Sequence, residues 1–229
     1  MEIIRLTATD HPRYTAFRNI YDISFPIYEQ RTVEQQQDAF SDSRYHLDCH
    51  IDPVNDLLLG FIAYWRFDSY TYVEHFAIHP NERGKGLGGL ILKNLIEQES
   101  GRVLLEIDPV TDNVSAARLH FYQLHGFVEN PYPHTHPAYR NGYPDHSLVV
   151  LSSGETIPDI EYKRFASDLN RVIMKKGRFI TFPFSLYSFF LFFTQRFQGC
   201  EECGTFTFFR LEPELSVMLF NKVFAKHQT

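Results

Sequence analysis

Residues 72–95 read YVEHFAIHPNERGKGLGGLILKNL, and the fold follows from how this stretch divides. Val73, Phe76, Ala77 and Ile78 make a mostly apolar run that predicts a strand, broken at Pro80, which has no N–H to give to a ladder. From Leu87 the apolar positions fall at Leu87, Leu90, Ile91 and Leu95, the spacing that puts them on one face of a helix. Between strand and helix lies Arg83-Gly84-Lys85-Gly86-Leu87-Gly88. Glycines remove the Cβ atoms that keep a ligand away from the backbone, and the helix that follows offers unpaired N–H groups and the positive end of its dipole. The combination predicts a cradle for phosphate.

Spacing separates this loop from two other phosphate-binding turns. It is not G-x-G-x-x-G with an acidic residue at the end of a second strand, and it lacks the Gly-Lys-Ser/Thr ending of a nucleotide loop. It fits R-x-x-G-x-G. A second pattern comes after the next predicted strand, Val103 to Ile107. Asp112 or Asn113 opens a helix, Val114, Ala117, Phe121 and Leu124 mark an expected buried stripe, and Gly126 suits a left-handed C-cap. Read in full, this piece is NVSAARLHFYQLHGF over residues 113–127.

The first segment resembles the acyl-CoA-binding motif of the GNAT superfamily of N-acetyltransferases. The second resembles that family's N-x-x-A motif with its Leu/Phe-Tyr-x-x-x-Gly-Phe ending. Both occur in the family's order, and the resemblance covers residues 1–152. It implies an α/β GNAT acyl-CoA N-acyltransferase fold, a mixed, mainly antiparallel sheet flanked by helices, here with an extra C-terminal helix and tail. It further implies acetyl-CoA as cosubstrate and no metal. Backbone amides of Arg83, Gly84, Lys85, Gly86, Leu87 and Gly88 are then expected on the pyrophosphate, Phe76 and Ile78 along the pantetheine arm, and Asn113 beside it.

Acetyl transfer to an amine poses two proton problems. An ammonium of pKa about 10.4 is neutral in roughly one molecule in 2,500 at pH 7, so a base must take a proton before attack. The departing thiolate, of pKa about 8.5, is helped by a nearby donor. In the resembled family the tyrosine at the position of Tyr122 donates to the CoA sulfur. Tyr122 lies about 100° round the helix from Phe121, so its ring is free to leave the core. For the base, Glu106 interrupts an apolar strand, at a place resembling that of the glutamate base of ribosomal-protein alanine acetyltransferases. Glu74 competes with it, since other family members place a base on the corresponding strand, and His75 or a water chain remains open. Strand alternation puts Glu74, Phe76 and Ile78 on one face and Val73, His75 and Ala77 on the other.

The remaining chain supplies the frame. Ile3, Ile4 and Leu6 suggest a first strand, and Thr9 or Asp10 a cap for a helix with Pro12 in its first turn and Phe17, Ile20 and Tyr21 inward. Phe25 to Arg31 breaks that helix before a polar second one from Val33 to Phe40. In the resembled family this link lines the acceptor pocket, which makes Tyr28, Glu29 and Arg31 candidates for acceptor contact. Strands at 44–51, 57–67 and the opening stretch, joined by short turns, should be antiparallel neighbours, and the strand at 103–107, reached through a helix, parallel to its predecessor. Short strands are expected from Phe127 and over Ser147 to Leu151. Between them residues 131–146 carry three tyrosines and three histidines, the composition of a lid, with His136 and Tyr139 as acceptor contacts.

Bulk properties narrow the function. A net charge of −6 and pI near 6.0 argue against a nucleic-acid partner and suit a cationic amine. Cys49, Cys200 and Cys203 cannot make a disulfide framework, and charges in Met1 to Asp10 disfavour a signal peptide, so a cytoplasmic location is expected. The chain divides into a GNAT domain at 1–152, an amphipathic helix at 153–176 that packs on the domain or in a homodimer, and a Phe-rich extension at 177–229. Phe179 to Phe193 is short for a membrane span and contains Pro183, so it reads as an interfacial segment, a hydrophobic dock for a partner or an extension that never packs, and one Cys-x-x-Cys without a second pair disfavours zinc. The expected activity is transfer of acetyl from acetyl-CoA to a primary amine of a small molecule or peptide. A non-catalytic acyl-CoA sensor and a membrane-surface protein acting through its tail are the alternatives.

Overall fold

The computed structural model describes residues 1–175; the expectations for the Phe-rich extension and for Cys200 and Cys203 fall outside them. The strands are β1 (Glu2–Leu6), β2 (Tyr45–Ile51), β3 (Leu58–Arg66), β4 (Tyr70–Ile78), β5 (Arg102–Ile107), β6 (Phe127–Glu129), β7 (His134–His136) and β8 (His146–Ser153). They form a sheet in the order β1-β2-β3-β4-β5-β8-β6, with β7 paired to β8. Every pair is antiparallel except β4 with β5, which are joined through a helix as a parallel pair must be.

Helices cover both faces. On one side α1 (Tyr14–Ser24), α2 (Val33–Phe40) and α5 (Asp159–Asp168) close a core containing Phe17, Tyr21, Phe61, Trp65 and Phe165. On the other, α3 (Leu87–Gln98) and α4 (Asn113–Leu124) close a second core around Tyr64, Ile91, Leu92, Leu105 and Phe127. The π-helical turn Leu169–Ile173 continues α5, and Phe165, Leu169 and Ile173 are fully buried, each burial contributing about 1.5–3 kcal/mol before entropy. The amphipathic helix thus packs on the domain itself.

Three local readings are corrected. α1 begins at Tyr14, not near Thr9 or Asp10, because the Thr9 hydroxyl is spent on Gln37 and His11 receives the N–H groups of Arg13 and Tyr14. In α4 Val114 and Leu124 are 68% and 69% exposed. Ala117 is exposed as well, while Phe121 does pack inward, beside Ser115, Leu119 and Tyr122; the stripe turns this way because Ser115 is sequestered in a capping box with Asp112, a polar anchor that a hydrophobic pattern misses.

The third correction shapes the site. Pairing of β3 with β4 jumps from Ala63 opposite His75 to Tyr64 opposite Val73, so Glu74 is the extra residue of a β-bulge. The bulge resets the alternation. Tyr72, Glu74, His75 and Ala77 face the α1 side, while Val73, Phe76 and Ile78 face α3 and α4. Glu74 therefore does not share a face with Phe76 and Ile78. Beyond the bulge β4 leaves β5 as well: their parallel pairing runs only from Tyr70–Arg102 to Val73–Leu105. Both strands continue, β4 along β3 and β5 along β8, and a cleft opens between them.

Candidate active site

The cleft has a volume of about 790 Å³, within the range of small-molecule sites. The glycine loop makes one wall. Gly84 and Gly86 adopt left-handed backbone with φ of 77° and 78°, a conformation that a side chain strains. Gly86 is the N-cap of α3, no side chain among the described residues caps that end, and the first turn carries no acid, so its N–H groups and dipole are left for an anion. A Cβ on Gly88 would stand 3.5 Å from both Ile78 and Phe121, in van der Waals contact with each, so the first turn of α3 lies close against β4 and α4. The loop is tied to β4 by Arg83 Nε donating to the Ile78 carbonyl at 3.1 Å, while Lys85 pairs with Glu82 at 2.9 Å. Uncapped N–H groups, absent Cβ atoms and an open cleft together fit the pyrophosphate and arm of an acyl-CoA.

Tyr122 reaches the cleft from α4, its ring edge-on to Phe121 and Phe127. Burial pushes its phenol up to about 12, so it stays protonated and able to donate.

The two strand glutamates sit in closed networks. Glu74 is wholly buried, with Arg31 at 2.6 Å, and accepts from Trp65 Nε1 and Tyr139 Oη, each at 2.8 Å. Burial alone would raise its pKa, but Arg31, His75 and Trp65 outweigh burial and hold it low. Glu106 is bonded through one oxygen to His134 Nε2, while its other oxygen accepts from Tyr72 Oη at 2.5 Å and lies 3.8 Å from His136 Nε2. These contacts, with His136 foremost, again overcome burial and keep the carboxyl low. His75, the third candidate base, is pushed down to about 4 by burial, and its Nε2 meets the Glu29 carbonyl at 2.9 Å.

Residues 131–146 fold over this region. Tyr139 N bonds the Tyr28 carbonyl, Gln35 Nε2 donates to the Tyr139 carbonyl at 2.8 Å, and Arg140 Nε donates to the Gln30 carbonyl at 3.0 Å. Tyr28 stacks on His146 at 4.8 Å. His136 and Tyr139 are buried cleft residues stacked on each other, so they shape the wall rather than hang free. Glu29 also faces the cleft, and burial, with Asp108 adding to it and Arg118 opposing, pushes its carboxyl up to about 7.

The fold thus gathers Tyr122, Glu106 and Glu74 with Phe76, Ile78, Arg83, Gly84, Gly86, Leu87 and Gly88, and with Tyr28, Glu29, His136 and Tyr139. It does not bring Asn113 or the Lys85 side chain there: Asn113 is exposed at the start of α4, and Lys85 turns to Glu82. Sequence reading missed Tyr72 and His134 as partners of Glu106, and Asp108, Arg118 and His146 as wall residues. The cluster of histidines in residues 131–146 was the available signal for His134 and His146. Among the described residues no group of His, Cys, Asp and Glu is placed to hold a metal ion.

A parallel strand pair splayed over a glycine-bounded helix N-terminus defines the acyl-CoA N-acyltransferase class of fold. A sequence model of the acetyltransferase (GNAT) family matches residues 14–127, and the chain belongs to that family. YjbC of Bacillus subtilis (strain 168), an acetyltransferase by name, is 31% identical over 105 residues, which are 45% of this chain and 52% of YjbC; the match spans about half of that relative. A GNAT-family structure from Bacteroides thetaiotaomicron superposes with a TM-score of 0.69 at 27% identity, covering 76% of this chain and 98% of its own. An aminoglycoside 6'-N-acetyltransferase solved with coenzyme A shares the fold, with a TM-score of 0.51 at 12% identity over 69% of this chain and all of its own.

Proposed function

We propose that the protein transfers an acetyl group from acetyl-CoA to a primary amine of a small molecule or peptide, by direct attack of the amine on the thioester. The observation that carries this reading is the uncapped, glycine-bounded start of α3 opening into the same cleft as the Tyr122 phenol. In this reading the loop amides from Arg83 to Gly88 bind the pyrophosphate and the β4 edge at Phe76 and Ile78 guides the arm. Tyr122 donates to the departing sulfur, and Tyr28, Glu29, His136 and Tyr139 shape the acceptor end. Of the wall carboxylates, Glu74, Glu82 and Asp108 are paired with Arg31, Lys85 and Arg118, which leaves Glu29 and Glu106 against the Arg83 guanidinium, a balance that favours a cationic acceptor. Direct attack is supported by Cys49, the free cysteine among the described residues, which is buried in the α1-side core with its thiol pushed up to about 12.

Titration calorimetry with acetyl-CoA and a thiol-release screen across polyamines, aminoglycosides, amino acids and peptide N-termini test the proposal. Gly86→Val sharpens the first measurement. Nothing stands within 4 Å of a Cβ there, so the penalty is the left-handed backbone, about 1–2 kcal/mol for an L-residue, together with the branched chain thrust toward the anion. Affinity for acetyl-CoA should fall about tenfold or more, and Arg83→Ala should cost less because its guanidinium is committed to Ile78. Unchanged affinity in Gly86→Val refutes the cradle, and binding without thiol release from any amine refutes acetyl transfer.

A further inference from the structure

Resting on the acetyl-transfer reading, we propose that Glu29, in the turn between α1 and α2, is the base that takes the proton from the acceptor ammonium, and that neither strand glutamate does so. The cleft offers several carboxylates, and their partners decide between them. Glu74 is saturated by Arg31, Trp65 and Tyr139, and Glu106 by His134 and Tyr72. Glu82 is paired with Lys85, and Asp108 with Arg118. Among the described residues the Glu29 carboxylate alone in this set has neither a hydrogen bond nor an ion pair, and it faces the cleft.

Its backbone is nevertheless held firmly. Glu29 ends the 3-10 turn Ile27–Glu29, its N–H donates to the Pro26 carbonyl at 2.9 Å, and its carbonyl meets His75 Nε2. The preceding carbonyl, of Tyr28, is taken by Tyr139 N. A rigid main chain carrying an unspent carboxylate is what a proton acceptor needs.

Charged and titratable groups face Glu29 from several elements. From the end of β5 Asp108 opposes ionisation of Glu29, and from α4 Arg118 favours it, each already paired with the other. On β4, His75 is uncharged near neutrality and Glu74 is neutralised by Arg31. His136 of β7 lies against Glu106, and His146 of β8 is stacked on Tyr28. Burial foremost leaves the Glu29 carboxyl titrating at about 7, close to the working pH at which a general base is most effective.

The step balances without any further reagent. One ammonium proton passes to the Glu29 carboxylate, and the freed lone pair forms the C–N bond to the thioester carbon. The C–S bond breaks with its electron pair on sulfur. Sulfur ends as the CoA thiol with the second nitrogen proton, assisted by Tyr122, and Glu29 returns its proton to water.

The test is the pH profile of kcat/KM for acetyl transfer to an amine that the wild-type enzyme accepts. The wild type should show an acid limb bending near pH 7, since the carboxylate form is required and is lost below that value. Glu29→Gln should lose the bend near pH 7 and about 10²–10⁴-fold in rate at that pH, its kcat/KM rising tenfold per pH unit straight through the range as free amine accumulates. Glu29→Asp should keep the bend at reduced rate. Coenzyme A affinity equal to wild type by calorimetry establishes that both variants are folded. An active wild type whose bend survives in Glu29→Gln, or a rise in amine KM with kcat and bend unchanged, overturns this proposal alone. A wild type inert to every amine overturns the acetyl-transfer reading instead.

Discussion

Glu74→Ala should lower the free energy of unfolding by about 3–5 kcal/mol, the cost of stranding a buried charge. The Arg31 side chain is 5% exposed, its Nε has no partner among the described residues, and its remaining bond goes to the Ile173 carbonyl at 3.1 Å. Without Glu74, the Trp65 indole and the Tyr139 hydroxyl also lose their acceptor. Urea denaturation reads the loss directly, and a change under about 0.5 kcal/mol would show that the pair is not coupled to folding. Replacing both partners, Arg31→Met with Glu74→Leu, should recover most of the loss, because the cost lies in the unpaired charge rather than in missing attraction. The pH dependence has a definite sign. The folded pKa of Glu74 lies below its ordinary value of 4.5, so its stabilisation is present above that value and fades as pH falls through the folded one. Glu74→Ala should accordingly lose part of the wild-type decline in stability on the acid side.

The β4-loop-α3 unit was legible because strand, glycines and helix are contiguous and each announces itself by composition or period. The bulge at Glu74 was not. A period of two carries no sign of one extra residue, and a single insertion turns every later side chain to the other face. The partners that fix Glu74 are also remote, Tyr139 lying 65 residues further along the chain. Glu106 was read as a polar interruption of an apolar strand, and its place in the cleft agrees, but the His134 and Tyr72 bonds that occupy it depend on the pairing of β7 with β8 and on where β4 leaves β5. For the acceptor end, the α1–α2 link was visible as a break carrying charge, while the contrast between Glu29, unspent, and its neighbour Arg31, buried, appears only once the chain is folded.

Tyr122→Phe should reduce kcat by about 10²-fold while leaving affinity for acetyl-CoA unchanged. The ring keeps its packing on Phe121 and Phe127, with centroids at 5.1 and 5.7 Å, so the substitution removes a donor and almost no buried apolar area. The size of the effect follows from what the hydroxyl can do. With the phenol pushed up to about 12, the proton is held more tightly than by a free thiol of pKa about 8.5, so full transfer to sulfur is uphill. What remains is a hydrogen bond that strengthens as negative charge builds on sulfur, and a charge-assisted bond of about 1.5–3 kcal/mol corresponds to roughly ten- to two-hundred-fold in rate. The pH profile then carries a second signature. A phenol titrating near 12 contributes no basic limb in an ordinary assay range, so log kcat for Tyr122→Phe should run parallel to wild type from pH 6 to 9, displaced downward. A variant within about threefold of wild-type kcat, with its melting temperature unchanged, removes Tyr122 from the chemistry. A displacement that appears only in KM for acetyl-CoA makes it a packing residue of the thioester end.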